Sequence, residues 1–202
     1  TDYIRTYTSL TDLTDDGFTT TSPAYYMASA ILRQSPAPSS FKVIRGSSAV
    51  TQSCTFTVTN TTVGDQIGYQ CVGTDGVVVD MYVTGTGNTT NDATAIAALT
   101  DPTGVTTTSA LAVVTSANSA AGTVVYYQNV KGGTFIDNTP TASYATDLNN
   151  ALGVDTNWYG ITGEHQDRTN IAAMAAWAET NKRLHAYSTC DSNAKTASSG
   201  IG

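Results

Sequence analysis

The residues able to do chemistry in this 202-residue chain are few, and their spacing is uninformative for catalysis. A hydrolase needs a nucleophile, a base and a group that orients the base. The histidines are His165 and His185. Serine and aspartate abound, but no Gly-x-Ser-x-Gly elbow sets a serine on a strained turn. His185 falls in a predicted strand and His165 just before a predicted helix, so both read as structural or surface residues. Cys54, Cys71 and Cys190 lack Cys-x-x-Cys spacing, and neither histidine stands in a ligand pattern with them. Asp12-Leu13-Thr14-Asp15-Asp16-Gly17 opens like a calcium loop, but Pro23 stands where the closing Glu belongs. These aspartates therefore read as a solvated loop. Gly85-Thr86-Gly87 lacks the third glycine and the Gly-Lys-Ser/Thr of phosphate-binding turns, and Lys131-Gly132-Gly133 reads as a strand end and turn. The sequence points to no catalytic residue, cofactor or metal.

One stretch stands out by charge. The chain has 9 basic and 16 acidic side chains. Residues 164 to 183 carry six of them: Glu164, Asp167, Arg168, Glu179, Lys182 and Arg183. That is more than twice their share. One reading is an ordinary solvated helix face. The other is a contact surface for a neighbouring subunit, where mixed charges set register more than affinity. On the second reading Arg168, Lys182 and Arg183 point to solvent.

Composition bounds what else the chain can be. It is 40% apolar and 12% charged, against a usual charged share of roughly 25%. Threonine, serine, asparagine and glycine fill the gap, favouring short strands and turns. The net charge of -7, with no basic cluster, gives a nucleic-acid backbone nothing to grip and an anionic membrane surface a reason to repel. The longest apolar run, Ile171 to Ala178, is too short to span a bilayer. An odd, sparse cysteine set argues for reduced, buried thiols. A Cys54–Cys71 bridge across paired strands is the alternative. Asn60-Thr61-Thr62 and Asn88-Thr89-Thr90 match the glycosylation pattern, as a threonine-rich chain will by chance.

The elements that carry these residues fall into three segments. Residues 1 to 46 predict strand, helix, strand: Tyr3 to Tyr7, then a helix capped by Ser22 with Pro23 in its first turn, then Phe41 to Ile44. The spacing fits one parallel βαβ unit. Residues 47 to 137 predict strands at Thr55–Thr59, Ile67–Val72, Val77–Val83, Leu111–Thr115 and Val124–Val130, with one helix over Asp92–Leu99. This block sets Asp65, Asp75, Asp80, Asp92, Asp101 and Asp137 against Lys131 alone. Residues 138 to 202 predict a helix from Ser143 to Ala151, a strand at Trp158–Thr162, a helix capped by Asp167 or Thr169, and a strand at Leu184–Ser188. The expected fold is α/β: a layered core of short strands and helices (1–46 and 138–202) interrupted by a β-rich, acidic insertion domain (47–137).

Two blocks carry a resemblance. One is Asn157-Trp158-Tyr159-Gly160-Ile161, then Glu164-His165-Gln166-Asp167, then Ile171-Ala172-Ala173-Met174-Ala175-Ala176-Trp177-Ala178-Glu179. The other is Tyr7-Thr8-Ser9-Leu10, Ser22-Pro23-Ala24-Tyr25-Tyr26 and Gln34-Ser35-Pro36-Ala37-Pro38. In order and separation they resemble the sheath proteins of bacteriophage contractile tails. The resemblance implies a non-enzymatic subunit of the virion tail, assembled in the host cytoplasm and stacked in a helical sleeve around a tail tube. Its implied partners are neighbouring sheath subunits, the tube protein, and baseplate and tail terminator proteins. It implies no direct nucleic acid contact and no stable membrane association. Part of the family fold is labelled subtilisin-like, a statement of topology that brings no protease activity. The family's interlocking terminal arms and C-terminal domain have no counterpart in this sequence, so a fragment or ordered part of a longer protein is expected. Two other readings remain: a different tail structural or receptor-binding protein, and a secreted hydrolase or carbohydrate-binding module.

Overall fold

A computed structural model describes residues 4–44, 46, 50–121, 125–139, 144–163, 167–187 and 189–192. The chain is mixed α/β.

The first segment folds as β1 (Ile4–Tyr7), α1 (Leu10–Asp15), α2 (Pro23–Leu32) and β2 (Phe41–Ile44). Ser9 caps α1 in a reciprocal box with Asp12: the Ser9 hydroxyl accepts from the Asp12 amide and the Asp12 carboxylate accepts from the Ser9 amide. Hydrogen bonds from Thr8 and Ser9 hold the Asp12 carboxyl down at about 2. The supposed solvated loop is thus a helix. That extra helix also overturns the parallel βαβ unit: β1 and β2 pair antiparallel, Ile4 opposite Ile44 and Tyr7 opposite Phe41. A single crossover helix returns the chain in its starting direction, whereas a pair of helices returns it reversed. Tyr7, Leu13, Ala28 and Phe41 form the small core between them, Tyr7 stacking on Phe41 at 5.7 Å.

The middle segment contains β3 (Ser53–Val58), β4 (Gln66–Val72), β5 (Val78–Thr84), α3 (Thr89–Ala97), β6 (Val105–Ala110), β7 (Val113–Asn118), β8 (Tyr126–Lys131) and β9 (Gly133–Asp137). Each predicted strand is present within a few residues, and β6 and β9 are additional. Leu111, expected in a strand, forms part of the β6–β7 turn at φ 53°. The strands make two antiparallel sheets, ordered β6-β7-β3-β9 and β5-β4-β8. Alternate residues Cys54, Phe56 and Val58 of β3 meet Ile67, Tyr69 and Cys71 of β4 in one core, which α3 closes with Ala93 and Ile96. Tyr69 lies at its centre, edge-on to Phe56, Tyr127 and Phe135 at 5.5–5.7 Å. Its hydroxyl bonds the Ser116 hydroxyl at 2.7 Å.

Cys54 and Cys71 are buried and free. This is the expected reduced, buried state; the two lie on strands of different sheets, which removes the alternative of a bridge across paired strands. Burial raises both thiols, Cys71 to about 12, so neither is a ready nucleophile.

The last segment forms α4 (Tyr144–Val154), β10 (Gly160–Ile161), α5 (Arg168–Thr180) and β11 (Leu184–His185). Ser143, the expected cap of α4, lies outside the described residues. Leu148, Trp177 and Ala178 are its core, and Ile44 from β2 packs onto them with Leu152, Trp158 and Ile161. Lys42 adds an ion pair to Asp155 and donates to the Asn157 carbonyl at 2.9 Å. The outer segments therefore meet through side chains, while β1–β2 and β10–β11 remain separate two-stranded sheets. Among the described residues no helix is long and apolar enough to cross a membrane.

Candidate functional site

Helix α5 starts at Asp167, whose carboxylate accepts from the Asn170 amide at 2.7 Å and from its side-chain nitrogen at 2.8 Å. Asp167 is fully buried. It caps the helix and presents nothing to a partner, contrary to its place in the predicted interface. Ile171, Met174, Trp177 and Ala178 face inward as the apolar stripe requires. Trp177 stacks on Trp158 at 5.7 Å and donates its indole N–H to Asn149 at 2.8 Å.

Arg183 is also consumed locally. Its guanidinium covers the other ring neighbour, lying 4.9 Å from the Trp158 ring centroid, and donates to the backbone carbonyls of Trp158 and, at 3.3 Å, Thr156. The expected solvent-facing cation is instead the clasp that holds the Asp155–Tyr159 loop against α5. Arg168, Glu179 and Lys182 are exposed as expected. Glu164 and His165 lie outside the described residues. Counting charge cannot separate these cases, because a cap and a clasp need the same residue types as a contact patch.

Lys182 has a backbone role of its own. The Arg183 amide bonds the Ala178 carbonyl at 2.8 Å and the Lys182 amide bonds the Glu179 carbonyl at 3.3 Å. This is the Schellman end of a helix, with Lys182 in the left-handed position at φ 53°. Glycine suits that position and a Cβ opposes it. Lys182→Gly is expected to exceed Lys182→Ala in stability by about 1 kcal/mol. Comparing two uncharged variants cancels the lost charge. Equal urea midpoints would mean the left-handed cap carries no strain.

Beside this lies a surface that carries exposed apolar side chains. β10 and β11 run parallel, Gly160 opposite Leu184 and Ile161 opposite His185, closed by the Leu184 amide on the Tyr159 carbonyl at 2.7 Å and the Ala186 amide on that of Ile161 at 3.0 Å. Tyr159 is 77% exposed, Leu184 64% and Tyr187 42%. The His185 imidazole stacks on Tyr187 at 5.6 Å, and burial lowers its pKa. A shallow groove of about 430 Å³ runs between α4 and α5, lined by Ala145, Ala173, Ala176 and Trp177 with polar Asn149 and Thr180 at its sides. The sequence reading missed Tyr159 and Leu184 as surface residues, because strand apolar residues are expected inside.

Around the end of β9 a second group of polar residues is buried: Gln52, Asp137, Thr139, Asp167 and Asp191. Thr139 donates to the Asp137 carboxylate through both its amide and its hydroxyl. Gln52 spans from Asp137 to the Val125 amide. Among the described residues, no group of three or more His, Cys, Asp or Glu side chains is arranged to hold a metal ion. No family model matches the chain, and no curated protein matches its sequence.

Proposed function

We propose that this chain is part of a structural subunit of a phage contractile tail sheath, which polymerises around a tail tube and shortens to drive the tube through the host envelope. The observation that carries the reading beyond the two resembling sequence blocks is the β10–β11 pair. Parallel sheets normally have both faces covered and more than two strands. Here two residues pair with two, and large apolar side chains stand open beside them. Such a surface suits a building block whose neighbours complete it. On this reading the partners are copies of the same chain, with tube, baseplate and terminator proteins at the lumen and ends of the polymer, and the location is the virion tail.

The division into an outer core (1–46 and 138–202) and a β-rich insertion (47–137) belongs to the same proposal. Two observations support it. Ile44 and Lys42 of β2 join the α4–α5 segment. The two ends of the middle block lie side by side, the Asn138 amide on the Ser53 carbonyl at 2.7 Å and the Ser53 amide on the Thr139 hydroxyl at 3.3 Å. An insertion needs such adjacent ends.

Electron microscopy of the full-length protein tests the function. Tubular polymers are expected, and Leu184→Glu is expected to prevent them while leaving the thermal midpoint of the monomer within about 1–2 °C, as for an exposed position. A wild-type protein that stays monomeric, or closes into small rings, would refute the reading.

A further inference from the structure

Strand β9 lies at one edge of its sheet. The Asn138 amide bonds the Ser53 carbonyl on β3. By alternation Ile136 and Thr134 also bond β3, and the amides of Phe135 and Asp137 turn outward. Both are taken by side chains. The Phe135 amide donates to the Ser192 hydroxyl at 3.1 Å, and the Asp137 amide donates to the Asp191 carboxylate at 3.2 Å. Two consecutive residues of one segment thus cover two consecutive outward amides. The Asp191 amide donates to the Thr189 hydroxyl at 3.1 Å and so shapes the turn, while Cys190 packs against the sandwich core.

An open edge strand invites another chain, and folds blunt such edges with charge, proline or cover. The residues of β9 that face away from the core are Thr134 and Ile136, both β-branched and neither charged. The cover is what blunts this edge. β5, an edge strand of the other sheet, has no such cap among the described residues and carries the exposed Asp80 in its middle instead. We propose that residues 189–192 are an edge cap that keeps a second copy of the chain from adding its own β9 to this sheet.

The excluded occupant is a second copy because β9 is its own complement. Paired antiparallel about Phe135, it sets Phe135 opposite Phe135 of the other copy and Gly133 opposite Asp137. The outward amides and carbonyls of all three residues then find partners. On the outer face Thr134 meets Ile136, so two chains of net charge -7 would approach here without a charged pair on that face. Such a contact is isologous and needs nothing beyond the strand itself. The inference is independent of the sheath reading.

The test uses the full chain carrying Leu184→Glu, which removes the proposed sheath contact, so that a failure here leaves that reading untouched. In dilute solution Asp191→Ala/Ser192→Ala is expected to lose about tenfold in hydrogen-exchange protection at the Phe135 and Asp137 amides, with Phe56 on β3 unchanged. At about 0.1–1 mM the double variant is expected to sediment as a dimer and those two amides to regain protection, while the capped parent stays monomeric. Asp191→Asn keeps an acceptor and is expected to remain capped and monomeric. Ile136→Lys added to the double variant is expected to return it to a monomer without restoring protection. The proposal is wrong if the two amides keep the parent's protection in the double variant, or if they lose it and the chain stays monomeric over that range. A dimer that leaves them unprotected would refute it too, since the pairing would lie elsewhere. Should the double variant not fold, Ser192→Ala decides: it uncovers the Phe135 amide alone, and unchanged exchange there overturns the cap.

Discussion

Gly68→Ala is expected to destabilise the chain by about 3–5 kcal/mol, a large part of the roughly 5–15 kcal/mol that holds a domain folded. Gly68 lies in β4, the central strand of its sheet, at φ 137°, where only glycine rests without strain. Opposite it on β5 is Tyr82, and a Cβ on Gly68 would stand 1.9 Å from the Met81 carbonyl oxygen. That oxygen is backbone and cannot rotate away. On the other side, the register with β8 shifts between Gly68 and Gln70, the mark of a bulge. The extra residue lies on β8, where Asn129 takes φ 53°, while Tyr69 keeps the inward phase of Ile67 and Cys71 in the core. The forbidden dihedral costs about 1–3 kcal/mol and the overlap with backbone another 1–3 kcal/mol. Gly64→Ala separates the two effects. Gly64 also has a positive φ, 93°, but a Cβ there meets nothing within 4 Å, so a loss of about 1 kcal/mol is expected. Urea unfolding followed by tyrosine near-ultraviolet dichroism would measure both. Equal losses at the two positions would show that the contact with Met81 relaxes at little cost.

The same strand shows what the sequence could and could not tell. β3 and β4 were legible because one face of each is buried, so apolar residues recur with period two. β6 was not. In Val105-Thr-Thr-Thr-Ser-Ala the inward residue after Val105 is Thr107, a buried threonine 3.4 Å from the Ser116 hydroxyl, and a polar run hides the alternation. β9 begins at Gly133, where a Cβ would come within 2.4 Å of the Thr57 carbonyl. The glycine that permits close strand approach reads in sequence as a turn. α1 was lost because its capping box closes with Asp12 where Glu or Gln is usual, and the direction of β2 was lost with it. The periodicity of α5 was legible, and of its two candidate caps, Asp167 and Thr169, the structure uses Asp167. The fate of the charges beyond that was not, since it depends on which backbone carbonyls the loop after α4 brings within reach of Arg183.

That dependence makes Arg183→Glu the second large effect. In the wild-type protein the Arg183 guanidinium joins three parts of one corner: it follows the end of α5, covers the Trp158 ring, and donates to the Trp158 and Thr156 carbonyls. Trp158 in turn stacks on Trp177, and its own indole N–H donates to the Asp155 carbonyl at 2.6 Å. Glutamate is too short to reach those carbonyls. Its charge also has the wrong sign for both the carbonyl oxygens and the ring face. Hydrogen bonds from a charged donor are worth about 1.5–3 kcal/mol in total effect, and a cation over an aromatic ring at a partly exposed site about 0.5–1 kcal/mol. The expected loss is about 2–4 kcal/mol, with the tryptophan fluorescence of the corner shifting to the red as Trp158 gains water. Arg168→Glu and Lys182→Glu alter exposed side chains and are expected to change stability by no more than about 0.5 kcal/mol. Reversing all three cations together would thus confuse two effects, because any loss of assembly would follow from the damaged corner. Assembly should be compared in Arg168→Glu/Lys182→Glu, with Arg183 kept. If Arg183→Glu melts like the wild-type protein and its fluorescence is unmoved, the guanidinium is not a clasp, and the whole cationic set returns to being a solvated face.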